Sequence, residues 1–192
     1  MIEILTRRPI IVALAGPNGA GKSSFYKAYL HASGLRFINA DVLALELRLD
    51  PYQAAKLADR LRRQLVEQRE SFIFETVFSD PVGEKLSFLK EAQALGYTAV
   101  LFFIGIDSPR TSGDRVAMRV SQGGHDVPPD KLAQRYPRVL SNLKRALTEL
   151  SNVRVYDNSI VGGSPRLIAT REDGHKIRIQ PPTPAWLRRL LP

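Results

Sequence analysis

The sequence predicts an α/β protein: a three-layer sandwich around a parallel five-stranded sheet, with a small C-terminal β-hairpin. Two observations lead to this fold class. Short runs that are apolar throughout alternate with longer segments of helical periodicity, the pattern of parallel strands covered by helices on both faces. The last part of the chain instead has the pattern of two short strands joined by a turn at 172–174.

Each element follows from a local pattern. Apolar runs predict the strands, at 10–15, 35–39, 71–76, 97–106 and 153–157. Helical spacing predicts the helices, at 22–32, from about Asp41 onward, and at 52–69, 82–95, 109–121 and 129–150. In the third of these helices we expect the charged residues to lie opposite a core-facing set: Ala55, Leu57, Ala58, Leu61, Leu65 and Val66.

A change in composition divides the chain into a main domain over 1–159 and an appendage over 160–192. The appendage begins with Gly162-Gly163, contains the predicted hairpin and ends in PPTPAWLRRLLP. This last segment indicates a proline-rich linker and one turn of helix that carries Trp186. We expect the hairpin to cover an edge of the sheet rather than to bind a ligand.

Composition limits the class of protein. The chain has 192 residues and no cysteine, which excludes disulfides and cysteine metal sites and favours a reducing, cytoplasmic location. No segment approaches the roughly 20 apolar residues of a membrane span, so no membrane association is expected. The net charge of +9 favours anionic ligands. Nucleic acid is the weaker candidate among these, because the basic residues are spread along the chain rather than clustered.

The segment GPNGAGKS between the first strand and the first helix fits the nucleotide-binding pattern G-x-x-x-x-G-K-[ST]. Its glycines let the backbone N–H groups turn towards a polyphosphate, and the helix that follows adds its positive end. We expect Lys22 to reach the β- and γ-phosphates of ATP and Ser23 to bind Mg²⁺. The predicted nucleotide-binding residues are Gly16, Pro17, Asn18, Gly19, Ala20, Gly21, Lys22, Ser23 and Ser24.

Other motifs narrow the class of P-loop protein to a small-molecule kinase. The guanine-reading motif N-K-x-D of switch GTPases is absent. Large mechanical ATPases usually carry a strand that ends in two acids, whereas the candidate strands here each supply a single acid, Glu75 or Asp107. Phosphoryl transfer needs cationic groups on the γ-phosphate and a carboxylate near the acceptor hydroxyl. The cations are available around a Gly-Gly-His turn late in the chain: Arg115, Arg119, Arg135 and Arg138.

Asp41 is the candidate carboxylate. It stands directly before an apolar helical run, where an Asp commonly caps the first turn. It also follows the second strand at its carboxyl end, and open α/β sheets bind ligands at that edge. We therefore expect Asp41 both to cap a helix and to face a hydroxyl, while Asn39 remains unassigned.

The chain resembles the zeta-toxin-type P-loop kinases, whose characterised members phosphorylate UDP-N-acetylglucosamine. The resemblance rests on GPNGAGKSS, FINAD, FIFETVFS and RVAMRVSQGGHDVPPDKLAQRY. It implies a catalytic base, two phosphate-stabilising arginines and a set of acceptor-binding residues, together with an antitoxin protein as partner. The implied base is Asp41, and the implied phosphate-stabilising arginines are Arg119 and Arg135. The implied acceptor-binding residues are Glu75, Thr76, Arg115 and His125.

Three functions remain open at this point. The first is an ATP- and Mg²⁺-dependent kinase that acts on a small anionic acceptor such as a UDP-sugar. The second is a kinase that acts on a nucleic-acid end or a nucleoside, which the net charge favours. The third is an ATP-binding toxin or regulator controlled by a protein partner.

Overall fold

The computed structural model describes residues 2–121 and 127–191 of the chain. Its strands are β1 (Ile10–Ala15), β2 (Arg36–Ile38), β3 (Phe72–Thr76), β4 (Thr98–Gly105), β5 (Asn152–Asp157), β6 (Arg166–Arg171) and β7 (Arg178–Ile179). They form one sheet in the order β2-β3-β1-β4-β5-β6-β7. The first five strands of that order pair in parallel, as the sequence predicts.

Helices lie on both faces of this sheet. They are α1 (Lys22–Phe25), α2 (Ala40–Leu47), α3 (Pro51–Glu67), α4 (Glu84–Ala94), α5 (Pro109–Ser121), α6 (Pro129–Glu149) and α7 (Ala185–Arg188). Helix α1 continues as a π-helical turn, Tyr26–Leu30, and a 3₁₀ turn, His31–Ser33. Every predicted strand and helix is therefore confirmed, with ends shifted by at most two residues.

Strand β1 explains why a buried parallel strand is apolar throughout. Its six residues alternate between two hydrophobic clusters, one on each face of the sheet. Helices α3, α4 and α6 cover the face that includes Ile11 and Ala13, whereas α1 covers the face that includes Val12 and Leu14. The three-layer architecture follows from this two-sided burial.

The C-terminal hairpin adds two antiparallel strands beyond the predicted five. Strand β6 pairs antiparallel with β5, and β7 pairs with β6. The predicted turn is present, and the hairpin covers an edge of the parallel sheet. Trp186 and Leu187 of α7 are buried in the same cluster as α3, α4 and α6.

Helix α3 differs from its predicted pattern at three positions, Ala54, Ala55 and Arg62. Its buried residues are Ala54, Ala58, Arg62 and Leu65. Ala55, expected in the core, is exposed. Arg62, expected on the solvent face with the other charges, is buried because its guanidinium packs 5.0 Å from the centre of the Phe74 ring and bonds to Asp59.

None of the helices in the described ranges, 2–121 and 127–191, is both long and apolar enough to cross a membrane.

Candidate active site

The glycine-rich loop joins β1 to α1 at the carboxyl edge of the sheet. Gly16 has a φ of +145°, and a Cβ there would lie 2.1 Å from the carbonyl oxygen of Ile104. Only glycine fits this approach to β4. Gly19 and Gly21 also have positive φ values, as expected for a loop that wraps its backbone around a ligand.

Lys22 is buried at the base of this loop. Its Nζ donates hydrogen bonds to the carbonyl oxygens of Gly16 and Pro17, each at 3.0 Å. Burial lowers the pKa of Lys22, and a nearby Arg119 lowers it further, while the negative charges of Glu75 and Asp41 act in the opposite direction. The charge of Lys22 therefore interacts with two acids of the predicted acceptor site, Glu75 and Asp41, and with the predicted catalytic Arg119.

Glu75 connects the loop to the neighbouring strand. Its carboxylate lies 3.9 Å from the Lys22 Nζ and accepts hydrogen bonds from the Ser23 hydroxyl at 3.1 Å and the Asn39 side-chain amide at 3.0 Å. The other lone acid, Asp107, accepts a hydrogen bond from the Thr111 hydroxyl at the start of α5. Of the two acids, Glu75 is the one turned towards the loop.

Ser23 and Glu75 together could hold Mg²⁺. A hydroxyl and a carboxylate are oxygen ligands of the kind this ion prefers, and Mg²⁺ usually takes few protein ligands beside water and phosphate oxygens. Within the part of the chain that the structure describes, no group of three or more His, Asp or Glu side chains is placed to bind a metal. The residues present fit an ion that is held largely by nucleotide phosphates.

Asn39, which sequence reasoning left unassigned, is the N-cap of α2. Its Oδ1 accepts hydrogen bonds from the backbone N–H groups of Asp41 and Val42, at 2.8 and 3.3 Å. The expectation that Asp41 caps this helix is therefore wrong, because Asp41 is already in the first turn. Asn is as good a cap as Asp, so the sequence contained the signal two residues earlier.

A pocket of about 200 Å³ opens beside Asp41, between β3 and helices α2, α3 and α4. We name it the Asp41 pocket. Three of its lining residues were predicted to contact the acceptor, Asp41, Glu75 and Thr76, and Asp41 itself is exposed. Its lining also includes Asn39, Arg62 and Lys85, for which the sequence analysis gave no functional role.

Thr76 has a structural bond in addition to its place in the pocket. Its hydroxyl accepts a hydrogen bond from the backbone N–H of Phe78 at 3.1 Å. Phe78 has a positive φ of 63°, so this bond supports a strained turn directly after β3. Thr76 therefore holds the shape of the pocket wall as well as lining it.

The predicted arginines differ in their position around the loop. Arg135 of α6 reaches the Asn18 side chain at 3.5 Å, and Arg115 of α5 reaches the Gly19 carbonyl at 3.5 Å. Arg119 is exposed and close enough to Lys22 to affect its pKa, whereas Arg138 is exposed farther along α6. Arg115 is thus a residue that holds the loop, and His125 lies outside the described residues.

Two further residues that sequence reasoning missed also hold the loop. The Ser112 hydroxyl donates to the Asn18 carbonyl at 2.7 Å, and the Asn158 amide donates to the Ala20 carbonyl at 2.9 Å. Asn158 directly follows β5, at the same sheet edge as the loop. Its position after a strand was a usable signal, whereas Ser112 lies in the first half of a helix and gives none.

The family model described as Zeta toxin matches residues 51–170, more than half of the chain. The matched range includes Glu75, Thr76 and the arginines of α5 and α6, and it begins after the glycine-rich loop and Asp41. The resemblance predicted from the sequence motifs is confirmed. No curated protein matches the chain.

Solved structures share the fold at low sequence identity. A chain of the AvrRxo1-ORF1:AvrRxo1-ORF2 structure with sulphate ions matches with a TM-score of 0.65 and 20% identity over 97% of this chain and 65% of that one. The PezAT toxin–antitoxin system of Streptococcus pneumoniae matches with a TM-score of 0.61 and 15% identity, over 79% and 69% of the two chains.

A further solved structure shares the fold as well. A gluconokinase from Sinorhizobium meliloti matches with a TM-score of 0.51 and 19% identity, over 81% of this chain and 86% of that one. These likenesses show a common P-loop kinase fold. The chain spans less than two thirds of the length of the AvrRxo1 chains that it matches.

Proposed function

This chain belongs to the zeta toxin family, and from that premise we propose that it is an ATP-dependent kinase that phosphorylates a hydroxyl of a small anionic acceptor. One observation carries the proposal. The Glu75 carboxylate contacts Lys22 and Ser23 of the phosphate-binding loop and also lines the Asp41 pocket. A nucleotide phosphate on the loop and a hydroxyl in the pocket would therefore lie on two sides of one side chain.

ATP is the nucleotide we propose for the loop. The Lys22 Nζ would exchange its bonds with the carbonyls of Gly16 and Pro17 for bonds with phosphate oxygens. Arg135 and Arg119 would stabilise the charge on the transferring phosphoryl group, since Arg135 contacts the loop and Arg119 affects Lys22 electrostatically. Mg²⁺ held by Ser23 and Glu75 would neutralise charge on the phosphates.

Asp41 is the proposed base. Its carboxylate accepts the proton of the acceptor hydroxyl as the hydroxyl oxygen forms a bond to the γ-phosphorus and the bond from that phosphorus to the β,γ-bridging oxygen breaks. The electron pair of that bond leaves with ADP. The exposed position of Asp41 on α2 suits this role, because Asn39 rather than Asp41 satisfies the free N–H groups of the helix.

The acceptor and the protein partner are finer proposals. Family membership supports a UDP-sugar such as UDP-N-acetylglucosamine as acceptor. The likeness in fold to the PezAT toxin–antitoxin system supports an antitoxin as protein partner. A kinase acting on a nucleic-acid end is the second candidate, supported by the net charge of +9. Strongly salt-dependent oligonucleotide binding would favour it over the first.

The substitution Asp41→Asn tests the proposed base. We expect the rate of acceptor-dependent ADP formation to fall by about 10²- to 10⁴-fold, the usual contribution of a general base. ATP affinity should stay within about twofold, because Asp41 is outside the loop. The measurements are coupled-enzyme ADP formation with a panel of nucleotide sugars, amino sugars and nucleosides, and calorimetric titration with an ATP analogue.

Glu46→Gln is the matched control, since Glu46 is an exposed acid on the same helix α2. It should leave both the rate and the affinity unchanged. An Asp41→Asn variant as active as the wild type would remove Asp41 from the mechanism. Wild-type protein that forms neither ADP nor a phosphoester with any member of the panel would count against the kinase itself.

A further inference from the structure

Two cations line the Asp41 pocket on the side formed by α3 and α4. Arg62 is 5% exposed, and the side chain of Lys85 is 19% exposed. Burying a charge is costly unless the charge is fully paired. The question for Arg62 and Lys85 is therefore which groups compensate for the burial of their charges.

The hydrogen bonds of Arg62 are incomplete. One terminal nitrogen, Nη2, donates to the Asp59 carboxylate at 2.6 Å, and the guanidinium packs over the Phe74 ring. Its Nε is buried and has no hydrogen-bond partner. An unpartnered donor on a buried charged group destabilises the folded protein, because the donor has lost its water without gaining an acceptor. Burial lowers the pKa of Arg62 accordingly.

The local charges leave this wall positive. Asp59 is shared by Arg62, by Lys85 at 3.6 Å and by Arg63 at 3.3 Å. Glu84 lies 3.3 Å from Lys85 but is about half exposed, so solvent weakens its effect. The remaining acids of the pocket, Asp41 and Glu75, belong to the other side, where Glu75 faces the loop.

We propose that Arg62 and Lys85 bind an anionic group of the acceptor, a phosphate or a carboxylate carried a few bonds from the hydroxyl that faces Asp41. This inference rests on the proposed kinase function and narrows its substrate class. The volume of about 200 Å³ is below the roughly 300–1,000 Å³ of pockets that hold drug-sized ligands. The pocket therefore has room for a sugar unit and one anionic group, and any larger part of the acceptor would lie outside it.

The test compares an anionic acceptor with a neutral counterpart in each of three pairs: glucose 6-phosphate with glucose, gluconate with glucitol, and UDP-N-acetylglucosamine with N-acetylglucosamine. We expect turnover with the anionic member of at least one pair. Arg62→Met and Lys85→Met should each raise its KM by 10-fold or more and leave kcat within about threefold. Met preserves the packing of Arg62 on Phe74, and Lys85→Met serves if the first variant unfolds.

Arg63→Met is the control. It removes the same charge from the same helix and the same partner, Asp59, but its side chain is 56% exposed. It should leave the KM unchanged. If compact neutral acceptors react as well as anionic ones, or if both test variants keep the wild-type KM, the anion site is refuted while the kinase stands.

If no acceptor in the panel is phosphorylated, a binding measurement distinguishes failure of the anion site from failure of the kinase proposal. With the loop saturated by a non-hydrolysable ATP analogue and Mg²⁺, calorimetry with glucose 6-phosphate and with inorganic phosphate should give one binding event that Arg62→Met weakens at least 10-fold. Absence of that event in the wild-type protein overturns the anion site. Its presence without ADP formation from any acceptor overturns the kinase instead.

Discussion

At the scale of single residues, Asn39 has two roles that involve opposite ends of one amide. Its oxygen caps α2, and its nitrogen donates to the Glu75 carboxylate. The first bond fixes where the helix that carries Asp41 begins, and the second orients the acid that contacts Ser23. Because one buried side chain makes both bonds, the position of Asp41 and that of Glu75 are coupled.

The substitution Asn39→Ala tests this coupling. We expect the free energy of unfolding to fall by about 1–2 kcal/mol, since a cap and a buried hydrogen bond are lost. The value of kcat/KM should fall at least 10-fold, because Glu75 loses a donor that orients it. Urea unfolding and ADP formation measure the two effects.

Asp50→Ala separates stability from activity. Asp50 caps α3 through bonds to the backbone N–H groups of Tyr52 and Gln53, at 2.9 and 3.0 Å. Its loss should cost about 1 kcal/mol and leave kcat/KM nearly unchanged. Equal losses of activity in both variants would show that Asn39 acts only as a cap.

At the scale of elements, the sequence predicts the strands and helices well because the signals are local. A strand buried on both faces is apolar throughout, as β1 shows at all six positions and β4 shows at every position after Thr98. The buried arginine of α3 could not be predicted in the same way. Its burial depends on Phe74 of β3, a contact between elements, although Arg62 does stand at core spacing from Ala58 and Leu65.

The junction between α6 and the end of β4 has a pH-dependent contribution to stability. The buried Tyr136 hydroxyl donates to the Ile106 carbonyl at 2.7 Å, and burial, followed by the nearby Asp107, raises the pKa of Tyr136 to about 12. A tyrosine in the unfolded chain ionises near pH 10. The stabilisation that Tyr136 gives the folded protein is therefore complete below pH 10 and is lost as the pH rises towards 12.

Tyr136→Phe should therefore flatten the alkaline stability profile. At pH 8 we expect the variant to lose about 1 kcal/mol through the missing hydrogen bond. Between pH 10 and 12 the wild type should lose roughly 1–2 kcal/mol more than the variant, after allowance for partial solvent screening. Urea unfolding at stepped pH values provides the measurement. Parallel profiles for the two proteins would contradict the assignment.

At the scale of the whole molecule, the sequence predicts which segments pair locally but not how the tail meets the sheet. The hairpin is visible in the sequence because its turn is a local signal. The position of Trp186 depends on long-range contacts: its ring lies 6.1 Å from that of Phe103, and its Nε1 donates to the Asp157 carboxylate at 3.0 Å. The division at 159/160 therefore stays a prediction that needs its own test.

Trp186→Ala provides that test. The indole is 4% exposed and packs against Gly105, where a Cβ would lie 2.2 Å from the ring. Its removal should lower the free energy of unfolding by about 3–5 kcal/mol, measured in urea, because the cavity left beside β4 cannot close fully. Val161→Ala, in the same segment but 81% exposed, should change it by less than about 0.5 kcal/mol. If the Trp186→Ala variant is as stable as Val161→Ala, residues 160–192 are a separable appendage. If its free energy of unfolding falls as expected, these residues belong to the one cooperative core that supports the candidate site.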